Sequence, residues 1–141
     1  MTINQIQNEI IEEFSSLDDW MDRYQLLIDM GNDLPPLAEA HKTPNNIIEG
    51  CQSRVWITAT TLPEGVMHLQ ADSDALIVKG IIALLLRVFN GQKDTDILNA
   101  DLYFVPKVGL QEHLSPTRAN GLVAMIQRIK LLAQQSAAQR S

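Results

Sequence analysis

Asp72-Ser73-Asp74-Ala75-Leu76-Ile77-Val78-Lys79-Gly80-Ile81-Ile82-Ala83-Leu84-Leu85-Leu86-Arg87-Val88-Phe89-Asn90-Gly91 decides how the rest of this chain must be arranged. From Ala75 to Asn90, apolar residues fall on nearly every side of a helical projection. Such a helix is either buried or spans a membrane. Spanning needs about 20 apolar residues, and this run is shorter and is interrupted by Lys79 and Arg87. The segment reads as the central core helix. Asp72-Ser73-Asp74 offers N-cap residues, and Gly91 offers a stop.

Upstream, Arg54 to Leu62 places Val55, Ile57 and Ala59 on one face and Trp56, Thr58 and Thr60 on the other. Val66 to Ala71 alternates in the same way through Met67, Leu69 and Ala71. Period two marks half-buried strands, and Pro63-Glu64-Gly65 is the turn between them. Asn46 to Glu49 is expected as a further short strand. His68 falls opposite Met67 and Leu69, as a solvated strand residue does. The core helix then covers a small antiparallel sheet.

Toward the N-terminus, Ile3, Ile6, Ile10 and Phe14 recur at three and four residues, one face of a helix from Thr2 to about Phe14. Ser16 with Asp19 resembles a capping box for a second helix, whose apolar face is Trp20, Tyr24, Leu27 and Ile28. Asp18, Asp19 and Asp22 suit the positive end of its dipole, and Gly31 is the expected stop. Leu34-Pro35-Pro36-Leu37 cannot continue a helix. Asn32 to Asn46 is therefore read as a rigid surface loop, with His41 in solvent.

Downstream, Asp94 to Asn99 reads as a short helix, and Tyr103-Phe104-Val105-Pro106 leads into an irregular stretch through Gly109 to Leu114 with room for another short helical turn. Ser115-Pro116 opens the last helix, with serine capping and proline at the first helical position. Leu122, Ile126, Ile129 and Ala133 form its buried face, and the tail from Gln134 is expected to fray. Arg118 stands in the first turn of this helix, where a cation opposes the dipole at a cost of about 0.3–1 kcal/mol. A neutral surface role and a functional one both remain open for it.

The 141 residues suit one domain, 1–141, with a core that needs neither disulfide nor metal. A single cysteine points to no oxidising compartment. The first residues show no basic-then-apolar leader, so the cytoplasm is the expected location. A net charge of −6 disfavours nucleic acid as the main partner, and no membrane partner is expected.

That cysteine, Cys51, sits in Ile47-Ile48-Glu49-Gly50-Cys51-Gln52-Ser53-Arg54-Val55-Trp56, at a turn feeding a strand. Gly50 permits a sharp bend before the sulfur, and Gln52 and Ser53 offer polar groups beside it. Glu49 disfavours a thiolate and Arg54 favours it, so local sequence leaves both an inert buried thiol and a reactive one open. A thioredoxin-like exchange needs a second thiol, and a cluster built by this chain alone needs several. His41, His68 and His113 make no zinc-site spacing with Cys51. A Cys–His hydrolase using His113 has no motif to support it. The glycines stand singly, unlike a phosphate loop. One thiol does suffice to carry a group.

Three blocks together resemble the signature of the SufE family. They are Gly50-Cys51-Gln52-Ser53-Arg54-Val55-Trp56; Asp72-Ser73-Asp74-Ala75 with Ile77-Val78-Lys79-Gly80; and Leu114-Ser115-Pro116-Thr117-Arg118 with Gly121-Leu122. Their order and separation match, and the Trp20…Tyr24 helix and Leu34-Pro35 loop agree. The resemblance implies an α+β fold like that of IscU-type scaffolds, a small three-stranded antiparallel sheet packed against helices. It implies a sulfur acceptor that stimulates a pyridoxal-phosphate-dependent cysteine desulfurase, takes its persulfide sulfur and passes it to an iron–sulfur cluster assembly scaffold. The partner would be a SufS-type desulfurase, with the CsdA type, served by the sister CsdE group, as runner-up. The pyridoxal phosphate belongs to that partner, and no cofactor is implied for this chain. Cys51 maps onto the persulfide acceptor and Arg118 onto the signature arginine, with Gly50, Gln52 and Ser53 in support. The competing reading is a non-catalytic module that stimulates a partner while Cys51 is merely structural.

Overall fold

The computed structural model describes residues 1–49 and 53–140. The first helix, α1 (Ile3–Ser15), begins with a capping box that the sequence reading overlooked: the Thr2 hydroxyl accepts from the Gln5 amide while the Gln5 side chain accepts from Thr2 N–H. Its inner face is Ile3, Gln7, Ile10 and Phe14. Gln7 is fully buried, its amide donating to Asp101 O at 3.0 Å and accepting from Phe104 N at 3.1 Å. The second helix, α2 (Trp20–Asp33), is capped by Asp19 alone, which accepts from Met21 N at 3.0 Å. The expected Ser16–Asp19 box does not form, because Ser16 Oγ turns back to Glu13 O.

Strands β1 (Val55–Thr61) and β2 (Met67–Ser73) pair antiparallel, from Val55 opposite Ser73 to Thr61 opposite Met67. The turn at Pro63–Gly65 places Glu64 and Gly65 at positive φ, 65° and 81°. Val55, Ile57, Met67, Leu69 and Ala71 are buried and His68 is exposed, as the alternation requires.

The sheet differs from expectation in its width. Among the described residues it has two strands, and the expected third is reduced to one bridge, Ile47 to Trp56. Pro44–Asn46 winds into a single 3-10 turn directly ahead of Ile47, so only the end of the segment reaches the edge of β1. The 2.8 Å bond from Ile48 N to Val55 O belongs to the same short contact.

Asp72 and Ser73 are also not helix caps but the last strand residues. They are buried there, and α3 (Leu76–Phe89) starts from Ala75 without a side-chain cap. This helix is buried on most sides, including Ile81, Ile82, Leu84, Leu85, Val88 and Phe89. Each such side chain contributes about 1.5–3 kcal/mol by leaving water. One side faces the sheet and another faces α2, where the two backbones nearly touch. A Cβ on Gly31 would come within 2.9 Å of Gly80 N, and a Cβ on Gly80 would strike the Leu27 carbonyl. Gly31 therefore does not stop α2, which runs on to Asp33; the glycine is a packing residue.

After α4 (Asp94–Asn99) come two single-turn helices, α5 (Phe104–Lys107) and α6 (Leu110–His113), where an irregular stretch with room for one helical turn is expected. The last helix, α7 (Pro116–Arg140), buries Leu122, Met125, Ile129 and Ala133, while Ile126 is half-buried. The helix continues to Arg140 through the segment expected to fray. Ser136 Oγ bonds Thr61 Oγ1 at 3.0 Å and Asp94 Oδ2 at 2.8 Å, and Arg140 grips Asp94. That buried carboxylate is held down to a pKa of about 2, chiefly by Arg140 and against the opposing effect of burial, with help from Ser136 and the Thr95 amide.

Candidate functional site

Three elements converge around Ser53 and Arg54, the described residues that follow Cys51 in sequence. The outgoing arm of the loop is locked to the end of β2: Ser73 Oγ donates to Arg54 O at 2.9 Å, and Arg54 N donates to Asp74 Oδ1 at 3.1 Å. The exposed side chains of Arg54 and Asp74 add a loose ion pair at 3.8 Å, worth little in solvent. The loop segment ahead of the cysteine is held by Asp72. Its carboxylate accepts from Leu37 N at 3.4 Å and pairs with Lys42 at 3.5 Å and Lys79 at 3.4 Å. Burial pushes the Asp72 pKa up, but the Ser73 and Leu37 amides and the Lys79 charge outweigh it, leaving a net lowering. The Lys42 ammonium also lies over the Trp56 ring, 5.3 Å from its centroid.

Between the start of α3, α2 and the start of α7 opens a cavity of about 400 Å³. Ile28, Ala75, Ile77, Val78 and Met125 make most of its wall apolar, while Ser53, Thr117 and Arg118 supply polar groups. The helix start predicted at Ser115-Pro116 forms as expected, with Arg118 N donating to Ser115 Oγ at 3.3 Å. This cap points the first turn of α7 at the cavity. Arg118 is exposed, and among the described residues no carboxylate pairs with its guanidinium. Leu76, at the rim, is 63% exposed, unusual for an apolar residue in this helix.

Of the expected site residues, Ser53 and Arg118 thus share one cavity although far apart in sequence. Gly50, Cys51 and Gln52, and with them the expected cysteine turn, lie outside the described residues. His113 stacks on Trp20, with centroids 4.0 Å apart, and its Nδ1 faces Gly109 O. It has a packing role and is not part of the cavity lining. Asp72 and Arg128 were missed as residues bearing on the loop. Asp72 had a visible signal, a carboxylate in an otherwise alternating strand, which was assigned to helix capping instead.

The fold and site define a small α+β protein with an apolar, cation-edged cavity lined in part by Ser53, two residues after its sole cysteine in sequence. The chain belongs to the SufE family: the model of the SufE Fe–S metabolism associated domain matches residues 8–133. It is 42% identical over 127 residues to an uncharacterized SufE-like protein of Rhizobium etli, covering 87% of this chain and 86% of that protein. A second uncharacterized SufE-like protein, from Rhizobium meliloti, is 40% identical over 127 residues, covering 87% and 91%. The solution structure of a hypothetical protein from Thermus thermophilus has the same fold. Its TM-score is 0.77 at 23% identity, covering 94% of this chain and 96% of that one. No helix among the described residues is long and apolar enough to cross a membrane.

Proposed function

We propose that this protein accepts sulfur from a pyridoxal-phosphate-dependent cysteine desulfurase onto Cys51, stimulates that enzyme by clearing its persulfide, and delivers the sulfur to an iron–sulfur cluster assembly scaffold. The Cys51 thiolate attacks the outer sulfur of the desulfurase persulfide. A new S–S bond forms on Cys51, the old one breaks, and the electron pair leaves with the desulfurase thiolate. No oxidant or reductant is consumed, and no second thiol in this chain is required.

The observation that carries this reading is the cavity shared by Ser53 and Arg118. Ser53 is two residues from Cys51, and two residues span at most about 7 Å of extended chain. An apolar wall shelters a persulfide from water and from stray thiols. A guanidinium at its edge favours the thiolate that must form for attack, which gives Arg118 a use that its unfavourable place on the helix dipole does not. Gly50 and Gln52 are the sequence neighbours of the Cys51 sulfur.

Intact-mass analysis after mixing the protein with a cysteine desulfurase and free cysteine tests this. The wild type should gain one sulfur atom and Cys51→Ser none, and Cys51→Ser should lose stimulation of the desulfurase. Full stimulation by Cys51→Ser would instead mark the protein as a non-catalytic module.

A further inference from the structure

Arg128 is half-buried on α7, and its Nη2 donates to Ile47 O at 2.6 Å and to Asn45 O at 3.4 Å. Among the described residues it forms no ion pair. Both acceptors are backbone carbonyls of the incoming arm of the cysteine loop, more than eighty residues away in sequence. The buried Ile48 side chain seats the end of that arm in the core, but the arm's backbone has few other partners among the described residues. Among the described residues its strand contact is the single Ile47–Trp56 bridge with the Ile48 N to Val55 O bond, and the 3-10 turn before it otherwise bonds only within itself and to His41 O. The outgoing arm, in contrast, is tied to Ser73 and Asp74.

We infer that Arg128 is a positioning residue for Cys51, acting by clamping the incoming arm of its loop to α7. A charged donor on a carbonyl is worth roughly twice a neutral one. Here it satisfies acceptors that an isolated bridge leaves unpaired. Arg118 stands about three turns earlier on the same helix, roughly 15 Å along its axis. The far end of α7 is anchored through Ser136 and Arg140 to Asp94. One helix therefore carries both the cation at the cavity and the clamp on residues 45–47, and loading of Cys51 depends on both. The functional part of this inference rests on the sulfur-acceptor reading above.

Arg128→Met keeps the stem and removes the donors, and Arg128→Lys restores one donor to Ile47 O. Two readouts are needed: hydrogen exchange at the amides of residues 45–49, and single-turnover sulfur loading of Cys51 from a cysteine-charged desulfurase. In Arg128→Met, exchange should quicken at least tenfold and loading should slow at least fivefold at saturating protein. Arg128→Lys should recover much of both. Unchanged exchange overturns the clamp, and quickened exchange with unchanged loading overturns positioning. Failure of the wild type to load at all would sink the sulfur-acceptor reading, and exchange would then decide the clamp by itself. Should Arg128→Met not fold, Arg128→Gln, shorter and uncharged, takes its place under the same criteria, and wild-type values of both readouts in that variant overturn the inference.

Discussion

Asp94 is fully buried and its carboxylate is gripped by Arg140, at 2.9 Å from Nε and 2.7 Å from Nη2, across forty-six residues of chain. With Ser136 between them, the pair turns the last turns of α7 into part of the body.

The pH dependence of stability follows from this pair. The Asp94 pKa falls from 3.8 to about 2 on folding, so the unfolded chain binds its proton first as pH drops. The contribution is complete above the unfolded value and is lost as pH falls toward the folded one. Asp94→Asn should lower stability at pH 7 by about 1.5–3 kcal/mol, the worth of hydrogen bonds to charged groups. The gap to wild type should close between about pH 4 and pH 2. Urea unfolding followed by circular dichroism across that range reads both effects, and a gap constant with pH counts against the account.

Gly80 should tolerate alanine poorly. Its missing Cβ leaves room for the Leu27 carbonyl, whereas Gly31 faces a milder approach, 2.9 Å to Gly80 N. Forcing α2 and α3 apart carries an overpacking cost of about 1–3 kcal/mol or more. Gly80→Ala should exceed Gly31→Ala in denaturant unfolding, although alanine is the better helix former at both sites.

Arg118→Ala should separate function from stability. The side chain is exposed and opposes the helix dipole, so its removal should leave stability unchanged or slightly higher, by at most about 1 kcal/mol, as read by thermal unfolding. Sulfur loading from a desulfurase should nevertheless fall tenfold or more, and Arg118→Glu should be worse. Normal loading in both variants would remove Arg118 from the site.

Asp72→Asn keeps shape but releases Lys42 and Lys79 from their shared carboxylate. A loss of about 1–3 kcal/mol is expected. Hydrogen exchange at the Leu37 amide should quicken, since Leu37 N–H bonds that carboxylate. Because the folded-state pKa is lowered, wild type should converge on the variant in acid, below the ordinary carboxylate pKa, and not at alkaline pH.

Much of this architecture was legible residue by residue. The all-round apolar run from Leu76 to Phe89, the alternation through β1 and β2, the turn at Pro63–Gly65 and the Ser115-Pro116 helix start all stand where their patterns put them. Ser53 and Arg118 could be singled out by their motifs, but no pattern revealed that they share a cavity. Gly31 and Asp72-Ser73-Asp74 misled because residue types suited to ending and starting helices were used for close packing and for a buried ion cluster.

Capping, turn chemistry and hydrophobic period act within a few residues, so the amino-acid sequence by itself determined the helices, the hairpin, the core face of each and the presence of one lone thiol. Tertiary structure alone decided the rest: a third strand shortened to one bridge, a tail docked by Arg140 on Asp94, and a loop arm held by Arg128. Those outcomes depend on donors and acceptors separated by dozens of residues, and no local pattern records which of them will meet when the core closes.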